Sequence, residues 1–240
     1  MNKKITNSLL YVRSIIQWSI WWVITTTNIV LLIFISFVIP EKYWNSLVKY
    51  SCKIMTFSAL IFPITKGYDL KKLPFPVIYV ANHVSFFDLF ISGSVLPGYP
   101  RGIELYKHFF MPIYGWFIAR FGQISLEAGN KASLKNALLI AQKKLKCMER
   151  NIYIAPEGTR TKNGSIGELR NIAFYLSKKS KVPIVPIVYK NLFNRNNKNS
   201  IIINPGFFEV IFLPPVYPEK FSSEFEMKKY VKDNMDKALG

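Results

Sequence analysis

His83 and Asp88 stand five positions apart in NHVSFFD (82–88), directly after the apolar run VIYVA. His83 is one of two histidines in 240 residues. An imidazole serves as a general base when a second group fixes its tautomer and stabilises its charged form. A tight turn after a strand could fold Asp88 back onto the ring, within roughly 2.6–3.2 Å. The pair would then be base and orienter, suited to deprotonating a hydroxyl for attack on an acyl carbon. No enzyme serine is needed if the substrate brings the hydroxyl. A plainer reading uses the same residues: Ser85 caps a helix, and Asp88 sits at its third position, favouring the positive end. The motif alone leaves both readings open.

PEGTR (156–160) also follows an apolar run. Gly158 permits close backbone approach. Arg160 can fork onto phosphate oxygens and Thr159 can donate to one. Glu157 could position Arg160 or accept a substrate hydroxyl. Alone, the segment reads equally well as a surface turn. Cys52 and Cys147 lie in unrelated contexts without metal-ligand spacing, so neither a metal site nor a disulfide framework is expected. The other histidine, His108, shows no carboxylate partner in this reading and is expected to be structural, with a place in the lining of the site as the alternative.

The elements that must hold these groups alternate. FPVIYVA (75–81), RGIELY (101–106), ISLE (124–127), NIYIA (151–155), VPIVPIVY (182–189), IIIN (201–204) and FFEVIFLPP (207–215) read as strands. Segments 86–96, 111–122, 131–150, 173–180 and 222–239 read as helices, the last opening with a Ser223-x-x-Glu226 capping box. This predicts an α/β fold: a mixed, largely parallel sheet flanked by helices, preceded by an N-terminal membrane-associated helical segment. The expected division is residues 1–66 for the membrane-embedded segment and 67–240 for the catalytic domain.

The N-terminal expectation rests on Ser14–Pro40, 27 residues without a charge. That length can cross a hydrocarbon core of roughly 30 Å. Trp18, Trp21 and Trp22 suit a lipid–water interface, whereas the centre, TTTN (25–28), is polar for a simple span. A second uncharged run follows at 54–65. Lys3, Lys4 and Arg13 precede the first run, and Lys42, Lys49 and Lys53 follow it. Positive flanks on both sides favour a segment that dips into one leaflet and returns, with the catalytic domain on the cytoplasmic side. A single span remains the alternative. Lysine and arginine outnumber aspartate and glutamate 32 to 14, a formal charge of +18, which calls for anionic partners such as membrane phospholipid or a phosphorylated substrate. No reading helix, RNP-like strand or zinc module supports nucleic acid.

Taken together, NHxxxxD after a strand, PEGTR after a later strand, and then VPIVPI resemble the glycerolipid acyltransferase family, which includes the 1-acylglycerol-3-phosphate acyltransferases. The resemblance covers roughly residues 75–190. It implies that His83 and Asp88 are catalytic and that Glu157, Gly158, Thr159 and Arg160 bind the glycerol phosphate. The implied reaction moves a fatty acyl group from acyl-CoA or acyl carrier protein, as co-substrate rather than cofactor, to lysophosphatidic acid, giving phosphatidic acid for phospholipid biosynthesis. The same chemistry on another lysophospholipid or on glycerol 3-phosphate, and a non-catalytic basic lipid-binding protein, are the alternatives. The chain departs from the family pattern at Ala128, where an arginine is expected after Glu127. Lys107, Arg120 or Lys131 could replace that phosphate contact, with Lys107 placed in the substrate-binding set. Leu169 and Arg170 stand where the family often has a phenylalanine–lysine pair.

Overall fold

The computed structural model describes residues 3–98, 100–147 and 150–240, with side chains in the first helix from Ser8 onward. Met148, expected on the apolar face of the 131–150 helix, and the side chains of Lys3 and Lys4 lie outside the described residues. In chain order the elements are α1 (Lys3–Val38), α2 (Trp44–Ser58), β1 (Ile61–Gly67), β2 (Ile78–Ala81), α3 (Asp88–Val95), β3 (Arg101–Leu105), α4 (Tyr114–Arg120), β4 (Ile124–Leu126), α5 (Lys131–Cys147), β5 (Ile152–Ile154), α6 (Ile172–Ser180), β6 (Ile184–Lys190), β7 (Gly206–Phe212) and α7 (Glu224–Leu239).

The strands form one sheet in the order β1-β7-β6-β2-β5-β3-β4. Every neighbouring pair is parallel except β6 with β7, so the expected mixed, largely parallel α/β sheet is present. Strand periodicity sends alternate side chains to opposite faces. Val77, Tyr79 and Ala81 join Val185, Ile187 and Tyr189 in a core shared with α1, α2, α3 and α4. Ile78, Val80, Ile152, Ile154 and Ile184 face the other way, against α5, α6 and α7. The result is three layers, helices over both faces of a sheet.

Helix α1 is amphipathic in an inverted sense. Its buried stripe is Ser14, Gln17, Trp21, Thr25, Ile29, Leu32 and Ser36, spaced three or four apart and carrying four polar side chains inward. Leu9, Val12, Ile16, Ile20, Val23 and Phe34 are exposed on the outside. The inward face is tied down along its length. Arg13 donates to Ile203 O (2.8 Å), Gln17 to Ala59 O (2.6 Å), Trp18 to Ile201 O (2.7 Å) and Trp21 to Met55 O (2.7 Å). At the far end Arg120 donates to Ser36 Oγ (2.9 Å) and Ser36 O (2.7 Å), with its guanidinium against the Phe37 and Trp44 rings. Arg120 is therefore a fastener for the helix C-terminus and cannot replace the missing phosphate contact.

Three expectations change. The run 54–65 is divided between α2 and β1, because Ile61–Gly67 pairs with β7 as an edge strand. The sheet thus reaches across the expected boundary at residue 66. IIIN (201–204) is not a strand: its backbone serves α1, with Ile201 O and Ile203 O accepting from Trp18 and Arg13 and Ile203 N donating to Ser14 Oγ at 3.3 Å. The helix expected over 111–122 is shortened to Tyr114–Arg120, preceded by Ile113 at φ +65°.

Candidate active site

Strands β2 and β5 are parallel neighbours, so NHVSFFD and PEGTR leave the sheet side by side at its C-terminal edge, where sites collect in α/β folds. Asn82 extends the β2–β6 pairing with its side chain: Oδ1 accepts from Tyr189 N (2.8 Å) and Nδ2 donates to Tyr189 O (3.3 Å). The next residue is clamped through its backbone. His83 N donates to Glu157 Oε1 at 2.7 Å, and His83 O accepts from Thr161 N at 2.8 Å. Glu157's other oxygen accepts from Gly167 N at 2.8 Å. Glu157 is buried and spends both oxygens on backbone donors, so it organises the loops rather than accepting a substrate hydroxyl or steering Arg160. Burial pushes its pKa up, partly opposed by those two backbone bonds and the His83 charge.

The turn after His83 brings Asp88 back. Asp88 Oδ2 lies 2.7 Å from His83 Nδ1 and accepts from Val84 N at 2.7 Å, while Oδ1 accepts from Ser85 N at 3.0 Å. With backbone donors already on both oxygens, the carboxylate is an acceptor throughout, so Nδ1 carries the ring proton toward it. In the neutral ring, Nε2 then holds the lone pair. Of the capping reading only part survives: Asp88 lies in the first turn of a helix, but at its first position and not its third. Helix α3 begins at Asp88, and Ser85 Oγ accepts from Phe87 N at 3.3 Å. Ser85 does not cap α3 itself, whose N-cap is Phe87 without a side-chain bond. The Asp88 side chain is 4% exposed and that of His83 is 30% exposed. Burial pulls the His83 pKa down, but the Asp88 hydrogen bond and charge, with Glu157 beyond, outweigh burial and the opposing Arg160 charge and leave it raised.

His83 and Asp88 open onto a cavity of roughly 1010 Å³. One wall is α1, through Trp22, Thr25, Thr26 and Ile29. That accounts for two of the four polar residues of TTTN, Thr25 and Thr26, whereas Thr27 is exposed. The lining also carries Lys131, Arg160 and Arg170, together with Ala128. Lys107 is exposed and is not part of these walls, whereas Lys131 opens α5 three positions after Ala128. Of the three residues offered in place of the missing arginine, Lys131 alone reaches the cavity.

PEGTR divides between two faces. Gly158 and Arg160 line the cavity, whereas Thr159 Oγ1 accepts from Lys198 Nζ at 2.8 Å on the other side. Gly158 has φ +67°, and a Cβ there would lie 2.8 Å from Arg170 Cζ. Gly158→Ala is therefore expected to cost about 1–2 kcal/mol of backbone strain and to push the Arg170 guanidinium aside. A thermal melt should read this as a Tm lowered by about 2–8 °C.

Two further groups escaped the sequence reading. Arg170 was legible only as a basic residue in a family position. His108 does have a partner: the chain turns through a 3₁₀ helix at Tyr106–Phe110, bringing His108 Nδ1 to 3.0 Å from Glu104 Oε2, and both line the cavity. Glu104 lies in β3 and His108 in the turn after it, so the pairing depends on that turn and not on a helical spacing legible in the sequence. Among the described residues no cluster of histidine, cysteine, aspartate and glutamate could hold a metal ion.

A family model described as acyltransferase matches residues 66–190. The chain is 28% identical over 164 residues to a 1-acyl-sn-glycerol-3-phosphate acyltransferase of Saccharomyces cerevisiae, covering 67% of this chain and 54% of the relative. It is 31% identical over 174 residues to a chloroplastic 1-acyl-sn-glycerol-3-phosphate acyltransferase of Brassica napus, covering 68% and 48%. The chain thus spans about half the length of these curated relatives. The crystal structure of the 1-acyl-sn-glycerophosphate (LPA) acyltransferase PlsC from Thermotoga maritima superposes with a TM-score of 0.84 at 22% identity, over 96% of each chain. That likeness is one of fold.

Proposed function

The chain belongs to the acyltransferase family, and from that premise we infer that it moves a fatty acyl group from a thioester donor to the free hydroxyl of 1-acylglycerol 3-phosphate, giving phosphatidic acid. The observation that carries this reading is the placement of His83. Its Nδ1 is committed to Asp88, and its ring opens on a cavity lined by apolar side chains such as Leu89, Met111 and Leu138 and by the cations Lys131, Arg160 and Arg170. An acceptor with an acyl chain, a hydroxyl and a phosphate matches those three features.

In the reaction, Nε2 takes the proton of the acceptor hydroxyl as its oxygen attacks the thioester carbonyl. Asp88 stabilises the imidazolium that forms. The carbon–sulfur bond then breaks, and the imidazolium proton passes to the departing thiolate. Ester and free thiol are the products, so no external acid, base or redox partner is consumed. The donor is acyl-CoA or acyl carrier protein, each presenting a thioester on a phosphopantetheine arm. Arg160, Arg170 and Lys131 hold the acceptor phosphate, a charge-assisted contact with planar forks from the two arginines.

The outer face of α1 supports residence at a membrane. Residues Ser8–Val38 are long and apolar enough to cross a bilayer, yet the helix is bonded to the domain from Arg13 to Ser36. A helix held along its length against a polar domain favours lying in one leaflet with that domain on the cytoplasmic side.

Expression in a strain lacking its own lysophosphatidate acyltransferase tests the reading. Growth and newly formed phosphatidate, measured by lipid mass spectrometry, are expected, and failure of both would sink it. Lys131→Ala is expected to raise KM for lysophosphatidate about tenfold with a smaller change in kcat, as loss of uniform phosphate binding does. Lys107→Ala should leave both constants near wild type. Steady-state kinetics on the two variants separates the assignments.

A further inference from the structure

A second cavity of roughly 840 Å³ adjoins the first, sharing Arg160, Arg170 and Asn171 with it. Its walls come from separate parts of the chain. Thr159 and Lys162 belong to the PEGTR loop, Lys198 to the polar loop after β6, and Lys228 to α7. Lys198 is anchored by its 2.8 Å bond to Thr159 Oγ1. Five cationic side chains thus meet two carboxylates, Glu157 and Glu168, and Glu157 has both oxygens engaged by backbone donors. Among the described residues Leu169 is the one apolar side chain in this wall, and neither α1 nor α2 contributes.

The two cavities therefore differ in solvent as well as charge. The first is lined largely by apolar side chains, among them Trp22, Ile29, Leu89, Phe90 and Met111, which suits a lipid acceptor. The second faces water and concentrates positive charge, which raises the local concentration of a soluble polyanion. Acyl transfer needs two ligands at His83, and the acceptor phosphate already has Lys131, Arg160 and Arg170. The donor must place its thioester at His83 while its charged end rests elsewhere, on the aqueous side.

We propose that this second cavity, built on Lys162, Lys198 and Lys228 beyond Arg160, binds the phosphate end of the acyl donor's pantetheine arm. The assignment rests on the acyl-transfer reading of the first cavity. The phosphate chemistry is common to coenzyme A and to the prosthetic arm of an acyl carrier protein. PEGTR is then a partition between two anions, with Gly158 and Arg160 toward the acceptor and Thr159 toward the donor.

The test is calorimetric titration of the full chain in nanodiscs with coenzyme A, and separately with holo-acyl carrier protein, across a series of salt concentrations. Lys198→Glu with Lys228→Glu is expected to weaken donor binding at least tenfold and to flatten its salt dependence, while lysophosphatidate binding stays within twofold. The milder Lys198→Gln with Lys228→Gln should weaken it severalfold, which keeps the test readable if charge reversal impairs folding. Binding of one titrant alone, with this lysine dependence, supports the cavity and identifies the donor. The proposal is overturned if neither titrant binds, if binding ignores both substitutions, or if the substitutions weaken lysophosphatidate instead. Lysine-dependent coenzyme A binding by a protein that transfers no acyl group would leave the cavity assignment standing and remove the reaction. Acyl transfer with lysine-independent donor binding would do the reverse.

Discussion

Replacing His83 with alanine is expected to lower acyl transfer to lysophosphatidate by about 10²–10⁴-fold, the usual worth of a positioned general base. The fold should survive. The backbone of His83 is what ties the two motifs together, through His83 N to Glu157 and His83 O to Thr161, and alanine keeps both bonds. Asp88 loses one partner and retains Val84 N and Ser85 N. Activity should thus collapse while the melting temperature moves little, and lysophosphatidate should bind with near wild-type affinity. A non-catalytic lipid-binding protein would show no activity to lose. Wild-type turnover by purified His83→Ala membranes would falsify the mechanism.

Asp88→Asn is expected to be at least as damaging, about 10⁴-fold in kcat, because the ring loses the acceptor that holds its proton on Nδ1. If an amide N–H faces Nδ1, the imidazole is driven to the other tautomer, with Nε2 protonated and useless as a base. This variant should also be less stable. One amide oxygen cannot serve the donors that now share two, and a buried unpaired donor costs about 1–3 kcal/mol. The pH profile adds a readout with a definite sign. Asp88 raises the His83 pKa, so wild-type kcat/KM falls on the acid side as pH drops through a value above that of an ordinary histidine. Without the carboxylate the pKa declines, and the residual activity should keep its plateau to lower pH. An acid limb unchanged in Asp88→Asn would show that another group sets it.

The chemistry-bearing residues were legible because each motif is local. His83 and Asp88 belong to one turn, and PEGTR follows one short strand. What joins them was not legible. The bond from His83 to Glu157 spans 74 positions and depends on β2 and β5 being neighbours, which no local pattern encodes. The same limit governed the basic residues. Lys107, Arg120 and Lys131 stand 21, 8 and 3 positions from Ala128, and neither charge nor sequence distance says which of them reaches the cavity. Arg120 is taken by Ser36, 84 residues away, and Lys131 is turned to the cavity by the start of α5. The sheet followed from apolar runs of strand length, whereas IIIN, equally apolar and β-branched, is diverted by the first helix. The apolar character of α1 was plain. Which of its faces turns inward was encoded in Ser14, Gln17, Thr25 and Ser36, polar residues at helical spacing that read as blemishes in a span.

The aromatic contacts of α1 bear on how this protein can be handled. Trp18 stacks on Phe87 with centroids 5.4 Å apart, and Trp21 meets Phe86, Phe87 and Phe90 edge-on at 5.4–5.5 Å. Phe86 and Phe87 are the two residues between Ser85 and Asp88. Trimming the chain to a soluble fragment that begins near β1 would remove the ceiling from the catalytic turn itself. Each tryptophan lost would forfeit burial worth about 1.5–3 kcal/mol, charged to the segment that must hold Asp88 on His83. The first helix and the turn that carries Asp88 form one packed unit, and deletion of that helix is expected to act as a change at the candidate site.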